Sequence, residues 1–392
     1  MKTENLLPAI LPLALGLASC GAAPAGDNAS ASPKDSAAPF AVEEMGMLDA
    51  PWAMAFVPGT EMLVITSQKG SITARDADGN MVTVSGAPTV DYGGQGGLGD
   101  IAFLESEAAE TLTPRTIYLT WAEAGEGDTR GAALGRGMFV CEGAASCEIR
   151  DMEVIWRQQP KVSGRGHYSH RIAISADESY LWLASGDRQK MQPAQDLSNT
   201  LGTVLRLTLD GEPAPGNPFA DRGSPSDEIW SYGHRNILGL AFDPQGRLWD
   251  LEHGPAGGDE LNLVKQGANY GWPVVSDGVH YNGDAIPDHS TRPEFAKPAI
   301  SWNPVIAPGD MIFYTGGQFA DWQGQVLIAA MKPAGIVRVE IDGESAREVA
   351  RYPMTNRIRS IEQGPDGAIW LIEDGRRASG GEGQRLLKLT PE

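Results

Sequence analysis

The sequence feature that most constrains the fold is a recurring unit of an apolar strand, a turn rich in Pro, Asp and Gly, and a second apolar strand. One copy runs from Ile237 to Phe242, turns at Asp243-Pro244-Gln245-Gly246 and continues from Arg247 to Leu251. A third apolar segment that ends near Asp-Gly often follows. Six such units span about 340 residues, and they begin at Ala53, Leu98, Arg171, Ile237, Met311 and Arg359.

Each unit is a small antiparallel sheet that cannot bury both of its faces alone, and radial stacking of the sheets solves this problem. The repeat therefore predicts an all-β chain that folds as a six-bladed β-propeller. A two-sheet sandwich is the structural alternative, but it does not predict a repeated strand–turn–strand unit. The 48 Gly and 27 Pro agree with many short strands and turns, and no long stretch has helical periodicity.

The first residues have the pattern of a secretory signal. Lys2 is followed by an apolar stretch from Leu6 to Leu17, which is too short to span a membrane. Leu17-Ala18-Ser19-Cys20 matches the bacterial lipobox, in which the cysteine becomes the lipidated first residue. An ordinary signal peptide, cut near Ala22 or Ala25, is the alternative.

These features predict a lipoprotein signal peptide over residues 1–19 and a lipidated Cys20. Residues 20–40 are rich in Ala, Ser, Gly, Pro and Asp, a composition that buries too little apolar surface to fold. We therefore expect a flexible linker there and a propeller domain over residues 41–392. The expected location is periplasmic, with a lipid anchor in the membrane.

The other two cysteines, Cys141 and Cys147, lie close together in the sequence. In an exported protein such a pair favours a disulfide at the tip of a hairpin, with two free thiols as the alternative. The sequence contains no C-x-x-C motif of a metal or redox site.

The formal net charge is −20. Nucleic-acid binding requires clusters of Lys and Arg that neutralise phosphates, so an acidic chain of this kind argues against such a partner. For most of the surface, the acidic residues indicate only solubility.

The segment from Gly233 to Pro273 combines unlike polar motifs at strand ends and in loops. It contains G-H-R-N, E-H-G-P, G-G-D-E-L-N and N-Y-G-W-P in this order. This series resembles the soluble aldose sugar dehydrogenases of the glucose/sorbosone dehydrogenase family, which use pyrroloquinoline quinone (PQQ). The resemblance extends over about residues 51–389 and implies two cofactors, PQQ and Ca²⁺.

By this resemblance His167 is the general base that removes the proton of the sugar C1 hydroxyl, a role that suits a group with a pKa near neutrality. The family usually has His-x-Gly-Gly-Arg, whereas this chain has Ser169 and His170 at the glycine positions. His170 is therefore an alternative base. Gly166 stands where glucose-oxidising members carry an acid that orients the base, so we expect His167 to be held less firmly.

The resemblance also implies a set of residues that bind the cofactor: Gln95, Arg235, Asn236, Tyr281, Lys332, Arg357 and Arg359. The Arg235 guanidinium would face the reactive quinone carbonyl and stabilise negative charge there, so Arg235 also counts as catalytic. Arg357 and Arg359 alternate along a strand and point to the same face, which suits an anionic ligand. An ordinary surface position is the alternative for both arginines.

The metal ligands implied by the resemblance are oxygens, which Ca²⁺ prefers. The carbonyls of Gly254 and Pro255 would hold one Ca²⁺ together with the quinone. The Glu260 carboxylate and the Tyr270 carbonyl would hold a second, structural Ca²⁺. The spacing of His, Cys and carboxylates that a zinc site needs is absent from the sequence.

The expected function is PQQ- and Ca²⁺-dependent oxidation of an aldose at the anomeric carbon to the lactone, with electrons passed to an external acceptor. One alternative is a six-bladed propeller lactonase that depends on Ca²⁺, which needs side-chain carboxylates and Asn that converge on a metal in the central channel. The other is a non-catalytic propeller that binds sugar or protein. Fold alone does not decide among them.

Overall fold

The computed structural model describes Met1 and residues 35–143, 146–374 and 384–392. The predicted signal peptide, its Cys20 and the linker up to residue 34 lie outside the described residues. All elements below belong to one unit, residues 33–392. Among the described residues, no helix has the length and apolar character needed to cross a membrane.

The described chain is built from 24 strands and six short 3-10 helices. The strands are β1 (Phe40–Met47), β2 (Pro51–Phe56), β3 (Leu63–Ser67), β4 (Ile72–Arg75), β5 (Met81–Ser85), β6 (Leu98–Phe103), β7 (Arg115–Ala124), β8 (Arg130–Cys141), β9 (Cys147–Arg157), β10 (Ser169–Ile174), β11 (Leu181–Ser185), β12 (Thr203–Leu207), β13 (Ile229–Tyr232), β14 (Ile237–Phe242), β15 (Leu248–Glu252), β16 (Asp259–Leu263), β17 (Ile300–Trp302), β18 (Pro308–Phe313), β19 (Val326–Met331), β20 (Ala334–Asp342), β21 (Ser345–Pro353), β22 (Ile358–Gln363), β23 (Ile369–Glu373) and β24 (Arg385–Pro391). The 3-10 helices are Glu105–Glu107, Gln192–Gln195, Ala220–Arg222, Ser226–Glu228, His289–Thr291 and Ala320–Trp322.

These strands form four-stranded antiparallel sheets in chain order, such as β10-β11-β12-β13, β14-β15-β16-β17 and β18-β19-β20-β21. An eight-stranded sheet consists of β2 to β5 and β6 to β9, joined by a short parallel pairing of β5 with β9. The sheet β1-β24-β23-β22 combines both ends of the described unit. Its strand β1 begins at Phe40, the last residue of the predicted linker.

The turn chemistry of the repeat explains why consecutive strands pair. Between β14 and β15, the Asp243 carboxylate accepts hydrogen bonds from the backbone N–H groups of Gln245 and Arg247, at 3.0 and 2.8 Å. Gly246 adopts a φ of 77°, which glycine tolerates without strain. The predicted strand at 237–242 is confirmed, and the predicted strand at 247–251 is displaced by one residue.

The core lies between the faces of successive sheets. One cluster of buried residues, for example, joins Trp249 and Leu251 of β15 to Ile328 of β19. Six strands, called the first strands below, contact one another in the order β2, β6, β10, β14, β18 and β22, and β22 also contacts β2. The loops that precede these first strands therefore lie near one another, although they are far apart in the sequence. The all-β prediction is confirmed.

Cys141 and Cys147 are opposite each other at the end of the β8–β9 hairpin and form a disulfide. The expected bond at a hairpin tip is therefore confirmed, and the alternative of two free thiols is wrong.

Candidate active site

A cleft with a volume of about 560 Å³ opens where the loops before the first strands meet. Six of the residues that were predicted to bind the cofactor line this cleft: Gln95, Asn236, Tyr281, Lys332, Arg357 and Arg359. Asn236 immediately precedes β14 and Arg357 immediately precedes β22. Each first strand pairs with the next strand along the chain in antiparallel fashion, so the start of the first strand lies beside the end of its partner. Residues that follow the partner strand therefore reach the same edge of the sheet as residues that precede the first strand.

His167 precedes β10 and is held by partners from other loops. Its Nδ1 lies 2.7 Å from Oδ1 of Asp187, which follows β11. Oδ2 of Asp187 accepts a hydrogen bond from the Trp272 indole N–H at 2.7 Å. The backbone N–H of His167 donates to Oε1 of Gln95 at 2.7 Å. Asp187 therefore fixes the orientation of the imidazole and keeps the proton on Nδ1, which leaves the lone pair on Nε2.

The expectation that His167 is held less firmly than in relatives with an acid before the base stays a prediction, but the imidazole does have a carboxylate partner. Gly166 supplies no acid, but Asp187 reaches the ring from the neighbouring loop and is itself fully buried. No motif in the sequence points to Asp187, although it ends the apolar segment from Tyr180 to Asp187, at the edge where site residues collect. Its backbone N–H donates to the Arg235 carbonyl at 2.9 Å, which links the two loops.

Burial has the largest effect on the pKa of His167 and lowers it below its usual value, as does the nearby Arg235 guanidinium. The hydrogen bond to Asp187 acts in the opposite direction but does not cancel the effect of burial. Burial also tends to raise the pKa of Asp187, but the bonds from His167 and Trp272 outweigh it, so this pKa is lowered. A neutral imidazole beside an ionised carboxylate is the resulting pair.

His170, the alternative base, lies in a different environment. Its ring is 2% exposed, stacks on Tyr168 with centroids 5.3 Å apart and meets the edge of Trp52 at 5.8 Å. Burial lowers its pKa to about 3, with further lowering by the Arg188 and Arg171 cations. Neither ring nitrogen has a hydrogen-bond partner among the described residues. Because no carboxylate orients this ring, the geometry favours His167 over His170 as the base.

The Arg235 side chain lies between the two aromatic rings of Trp272 and Tyr281, 5.1 and 5.9 Å from their centroids. Nη1 donates to the His253 carbonyl at 3.0 Å and Nη2 donates to the Tyr281 hydroxyl at 3.3 Å. Its Nε is buried and has no partner in the described part of the chain. Tyr281 is 78% exposed, so it covers Arg235 at the mouth of the cleft.

A buried ionic group, which was not predicted from the sequence, supports the Arg235 backbone. Oε2 of Glu252 accepts from the Arg235 backbone N–H at 2.6 Å, and Oε1 lies 3.1 Å from His234 Nδ1. Oδ2 of Asp250 is 3.6 Å from the same nitrogen. Burial would lower the pKa of His234, but the two carboxylates outweigh it and raise this pKa. The three side chains come close enough to hold a metal ion, but their mutual contacts already pair them.

The cationic end of the cleft contains Lys332, Arg357 and Arg359. Lys332 follows β19 and is exposed. Arg357 Nε and Arg359 Nη2 both donate to Oδ2 of Asp374, at 3.0 Å each, so the two arginines converge as predicted from their spacing. Asp374 follows β23 and is a further residue that the sequence analysis missed. Three cations at one end of a cleft in an acidic chain fit an anionic ligand such as PQQ.

The predicted ligands of the first Ca²⁺, Gly254 and Pro255, are buried directly after β15. Asp259 anchors this turn by accepting from the Gly254 N–H at 2.9 Å. A Cβ atom at Gly254 would lie 2.2 Å from the Gly258 carbonyl oxygen, so only glycine fits. Within the described residues, neither the Gly254 nor the Pro255 carbonyl oxygen accepts a hydrogen bond. Buried carbonyls of this kind are suitable ligands for Ca²⁺.

The predicted ligands of the second Ca²⁺, Glu260 and Tyr270, line a small cavity together with Glu252 and Gly254. Burial raises the pKa of Glu260 well above its usual value, and the nearby Glu252 carboxylate adds to this effect. A cation in the cavity would relieve that cost. The Tyr270 carbonyl oxygen lies 3.2 Å from His289 Nε2, and a second lone pair of this oxygen remains.

The lactonase alternative requires carboxylates that converge on a metal in the interior. Asp100 of β6 and Asp310 of β18 do converge there, but on the Arg171 guanidinium, at 2.8 and 3.3 Å. Arg171 also donates to the carbonyls of Leu238 and Gly309, at 2.7 Å each. A fixed cation therefore occupies the position that a metal would need, so this cluster does not support the lactonase.

Comparison with known proteins identifies relatives over most of the chain. The family model described as Glucose / Sorbosone dehydrogenase matches residues 48–387. Aldose sugar dehydrogenase YliI of Escherichia coli K12 is 35% identical over 352 residues, which cover 88% of this chain and 91% of the relative.

Solved structures agree with this result. A crystal structure of a glucose dehydrogenase has a TM-score of 0.81 at 34% identity and covers 90% of this chain and 100% of its own. The PQQ-bound form of aldose sugar dehydrogenase from Streptomyces coelicolor has a TM-score of 0.70 at 27% identity, over 90% of this chain and 98% of its own. The chain belongs to the glucose/sorbosone dehydrogenase family.

Proposed function

We propose that this sugar dehydrogenase is a PQQ- and Ca²⁺-dependent enzyme that oxidises an aldose at its anomeric carbon to the lactone. The observation that carries the proposal is a cleft lined by Lys332, Arg357 and Arg359. The oriented His167–Asp187 pair and Arg235 lie beside it, because His167 and Arg235 bond the cleft residues Gln95 and Tyr281. The PQQ-bound relative from Streptomyces coelicolor supports the choice of cofactor.

When bound, PQQ supplies the acceptor for the hydride of the anomeric carbon, and Ca²⁺ supplies Lewis-acid polarisation. The residues of this chain have three tasks. His167 accepts the proton of the C1 hydroxyl at Nε2 while Asp187 stabilises the imidazolium that forms. Arg235 presents positive charge to the negative charge that develops on the cofactor oxygen. Lys332, Arg357 and Arg359 bind the carboxylates of the cofactor, with Gln95, Asn236 and Tyr281 along the cleft.

The carbonyls of Gly254 and Pro255 would hold the Ca²⁺ that contacts the cofactor, and Glu260 with the Tyr270 carbonyl would hold the structural Ca²⁺. The Gly254 and Pro255 carbonyl oxygens fit the first Ca²⁺ because they accept no hydrogen bond among the described residues. Glu260 fits the second Ca²⁺ because its carboxyl group is buried near that of Glu252. Oxygen ligands of mixed carboxylate and carbonyl type favour Ca²⁺ over transition metals.

We further propose that the sheets form a six-bladed β-propeller. The contacts between first strands, from β2 to β22 and from β22 to β2, support this arrangement. So does the sheet made from both ends of the described unit, which is a common way to join the first and last blades.

We also propose that the protein is exported to the periplasm, is anchored through a lipid on Cys20, and passes its electrons to an external acceptor. The charged start, the short apolar stretch and the lipobox support export, and the disulfide is consistent with an oxidising compartment.

Reconstitution tests the proposed function. The protein from residue 21 onward is purified without metal, mixed with PQQ, Ca²⁺, both or neither, and assayed for dye reduction with a panel of aldoses. Turnover that requires both additions, with a lactone as product, is the expected result. Failure to bind PQQ in a titration would refute the proposal.

A further inference from the structure

The proposed reaction leaves one buried cation unexplained, Arg188. It follows Asp187 directly and is fully buried. Its Nε donates to the Gly166 carbonyl at 2.9 Å, Nη1 donates to the Arg130 carbonyl at 2.7 Å, and Nη2 donates to the Gly164 carbonyl at 2.6 Å. These oxygens, and the glutamine amide oxygen that Nη1 also approaches at 3.4 Å, carry no charge. Among the described residues, the guanidinium therefore has neutral acceptors only.

A guanidinium in such surroundings is costly, since the charge leaves water and gains only neutral partners. Burial lowers the pKa of Arg188 to about 10, although the carboxylates of Asp187 and Asp91 act in the opposite direction. The side chain is therefore still charged at neutral pH. A neutral side chain of similar length would fill the same space, so packing alone gives no reason for a cation here.

The contacts of Arg188 fall on the peptide groups on both sides of His167. Its side chain binds the Gly166 carbonyl, which belongs to the peptide group before His167. Its backbone N–H donates to the carbonyl of His167, in the peptide group after it, at 3.2 Å. His167 has a φ of 49°, in the left-handed region that favours glycine. Such a conformation persists where the surroundings impose it, and these two bonds contribute to imposing it.

An aromatic ring fixes the guanidinium from another side. Its Cζ lies 3.7 Å from the centroid of the Tyr168 ring, and a cation over an aromatic face is attracted to it. Tyr168 is the residue after His167, and its own carbonyl accepts from the Gly186 N–H at 3.2 Å. Arg188 therefore contacts the segment from Gly164 to Tyr168 along its length.

The charge of Arg188 also acts on the imidazole of His167. Burial lowers the pKa of His167, the Asp187 carboxylate raises it, and the Arg235 and Arg188 cations lower it further. His253, which lies near the same imidazole, is neutral because burial lowers its pKa to about 3. A fixed cation next to the base disfavours the imidazolium and favours the neutral form, which can accept a proton.

We propose that Arg188 is a positioning residue for the base, which fixes the backbone on both sides of His167 and supplies a permanent positive charge beside its imidazole. The inference rests on the proposed function, because it takes His167 as the group that accepts the proton. In this role Arg188 touches neither the sugar nor the cofactor and acts through His167.

The test compares two substitutions. Arg188→Met removes the charge and the donors, whereas Arg188→Lys keeps the charge but lacks the planar fork that reaches three carbonyls at once. The first measurement is the pKa of the His167 imidazole in the protein without PQQ, by NMR titration, with the signal assigned through His167→Gln. Because loss of a cation favours the imidazolium, we expect this pKa to rise by about 0.5 or more in Arg188→Met and to stay unchanged in Arg188→Lys.

The second measurement is kcat at saturating PQQ, Ca²⁺ and aldose, at a pH where the imidazole is neutral in every variant. Both substitutions release carbonyls next to His167, so the base is held less well in each. We expect kcat to fall by about 10- to 100-fold in both variants, since a small displacement of a catalytic group has an effect of this size.

Arg115 provides the matched control, because it is also buried and also donates to three carbonyls, at 2.7, 3.0 and 3.1 Å. It begins β7, and Leu98 at the start of β6 pairs with Trp121 near the other end of that strand. Arg115 therefore lies away from the edge that carries the cleft. Arg115→Met is expected to lower the Tm, as Arg188→Met does, but to leave kcat and the pKa of His167 unchanged.

An unchanged pKa of His167 in Arg188→Met, or an equal rise in Arg188→Lys, would overturn the inference, because the charge would then have no effect on the base. A kcat within about threefold of the wild type in both variants would overturn it as well, and a lowered Tm alone would leave Arg188 a structural residue like Arg115.

Arg188→Gln, which is neutral and keeps an amide donor, replaces Arg188→Met if that variant does not fold. Failure of the proposed function is a separate result, in which the wild-type protein does not turn over with PQQ and Ca²⁺. The pKa of His167 is measured without PQQ and still tests the effect of Arg188 in that case.

Discussion

Asp187→Asn is the substitution that tests the proposed catalytic pair most directly. The carboxylate is fully buried and bonds His167 Nδ1 at 2.7 Å and the Trp272 indole at 2.7 Å. Asparagine has nearly the same shape, so the packing is preserved. The charge is lost, and an NH2 group at the Oδ1 position cannot accept the bond that the Gln189 N–H donates there at 2.8 Å. A buried hydrogen bond to a charged group contributes about 1.5–3 kcal/mol, which corresponds to a roughly 10- to 150-fold loss in turnover at about 1.4 kcal/mol per factor of ten.

The tautomer adds to this loss. An amide N–H that faces Nδ1 would move the imidazole proton to Nε2, the position from which His167 is proposed to accept a proton. The equivalent change in a Ser-His-Asp triad costs about 10⁴ in kcat. We therefore expect a fall in kcat of between about 10² and 10⁴. Because the carboxylate raises the pKa of His167 against the effect of burial, its removal lowers that pKa further, and the acid limb of kcat/KM moves to lower pH.

The assay is dye-linked turnover at saturating PQQ and Ca²⁺ over a pH range, with a PQQ titration as a control. Asp187 does not line the cleft, so the Kd for PQQ is expected to stay unchanged. Asp243→Asn is the matched variant, because it removes another carboxylate that bonds a Trp indole, at 2.9 Å, in the distant β14–β15 turn. Turnover within threefold of the wild type, with an unmoved pH profile, would refute the role assigned to Asp187.

Four further predictions concern the cleft, its metal ion and one buried carboxyl group elsewhere in the chain, Glu228. His167→Gln abolishes turnover but leaves the Kd for PQQ unchanged, whereas His170→Gln retains turnover at saturating PQQ; the reverse pattern in a dye assay would make His170 the base. Arg359→Ala raises the Kd for PQQ by about 10- to 100-fold in an absorbance titration, since one charged contact to the ligand is lost. Removal of Ca²⁺ by a chelator abolishes turnover, and added Ca²⁺ restores it better than Mg²⁺, because carbonyl ligands at flexible distances suit the larger ion. Burial raises the pKa of Glu228 to about 7, so its contribution to stability is present below its unfolded pKa and is lost as the pH rises through 7. Glu228→Gln can still accept from the Trp156 indole, and it is expected to raise the Tm more at pH 8 than at pH 5, by the equivalent of about 2–3 kcal/mol. An equal shift in Tm at both pH values would contradict this.

The sequence predicted the strands because their signals are local. The alternation of apolar residues from Ile237 to Phe242 and the Asp-Pro-Gln-Gly turn are set by neighbouring residues, and the turn hydrogen bonds of Asp243 form within four residues. The disulfide between Cys141 and Cys147 is local for the same reason. The family motifs identified the residues that line the cleft, including Arg357 and Arg359, whose convergence follows from the two-residue period of a strand.

The partners of those residues were decided by the tertiary structure. Asp187 is 20 residues from His167, and Trp272 is 85 residues from Asp187. His167 and Asp187 meet because antiparallel pairing of β10 with β11 places their two loops at the same edge of one sheet. Trp272 reaches this pair from the loop between β16 and β17 of the next sheet. The sequence therefore suggested a loosely held His167, and the structure supplied its carboxylate. It likewise decided that His170 is buried without a hydrogen-bond partner among the described residues, since its burial depends on Gly99 and Trp52, which belong to the eight-stranded sheet. The sequence by itself determined the strands, their turns and the family, because these depend on contacts between neighbours; the pairing and protonation of the site groups depend on long-range contacts that only the folded chain makes.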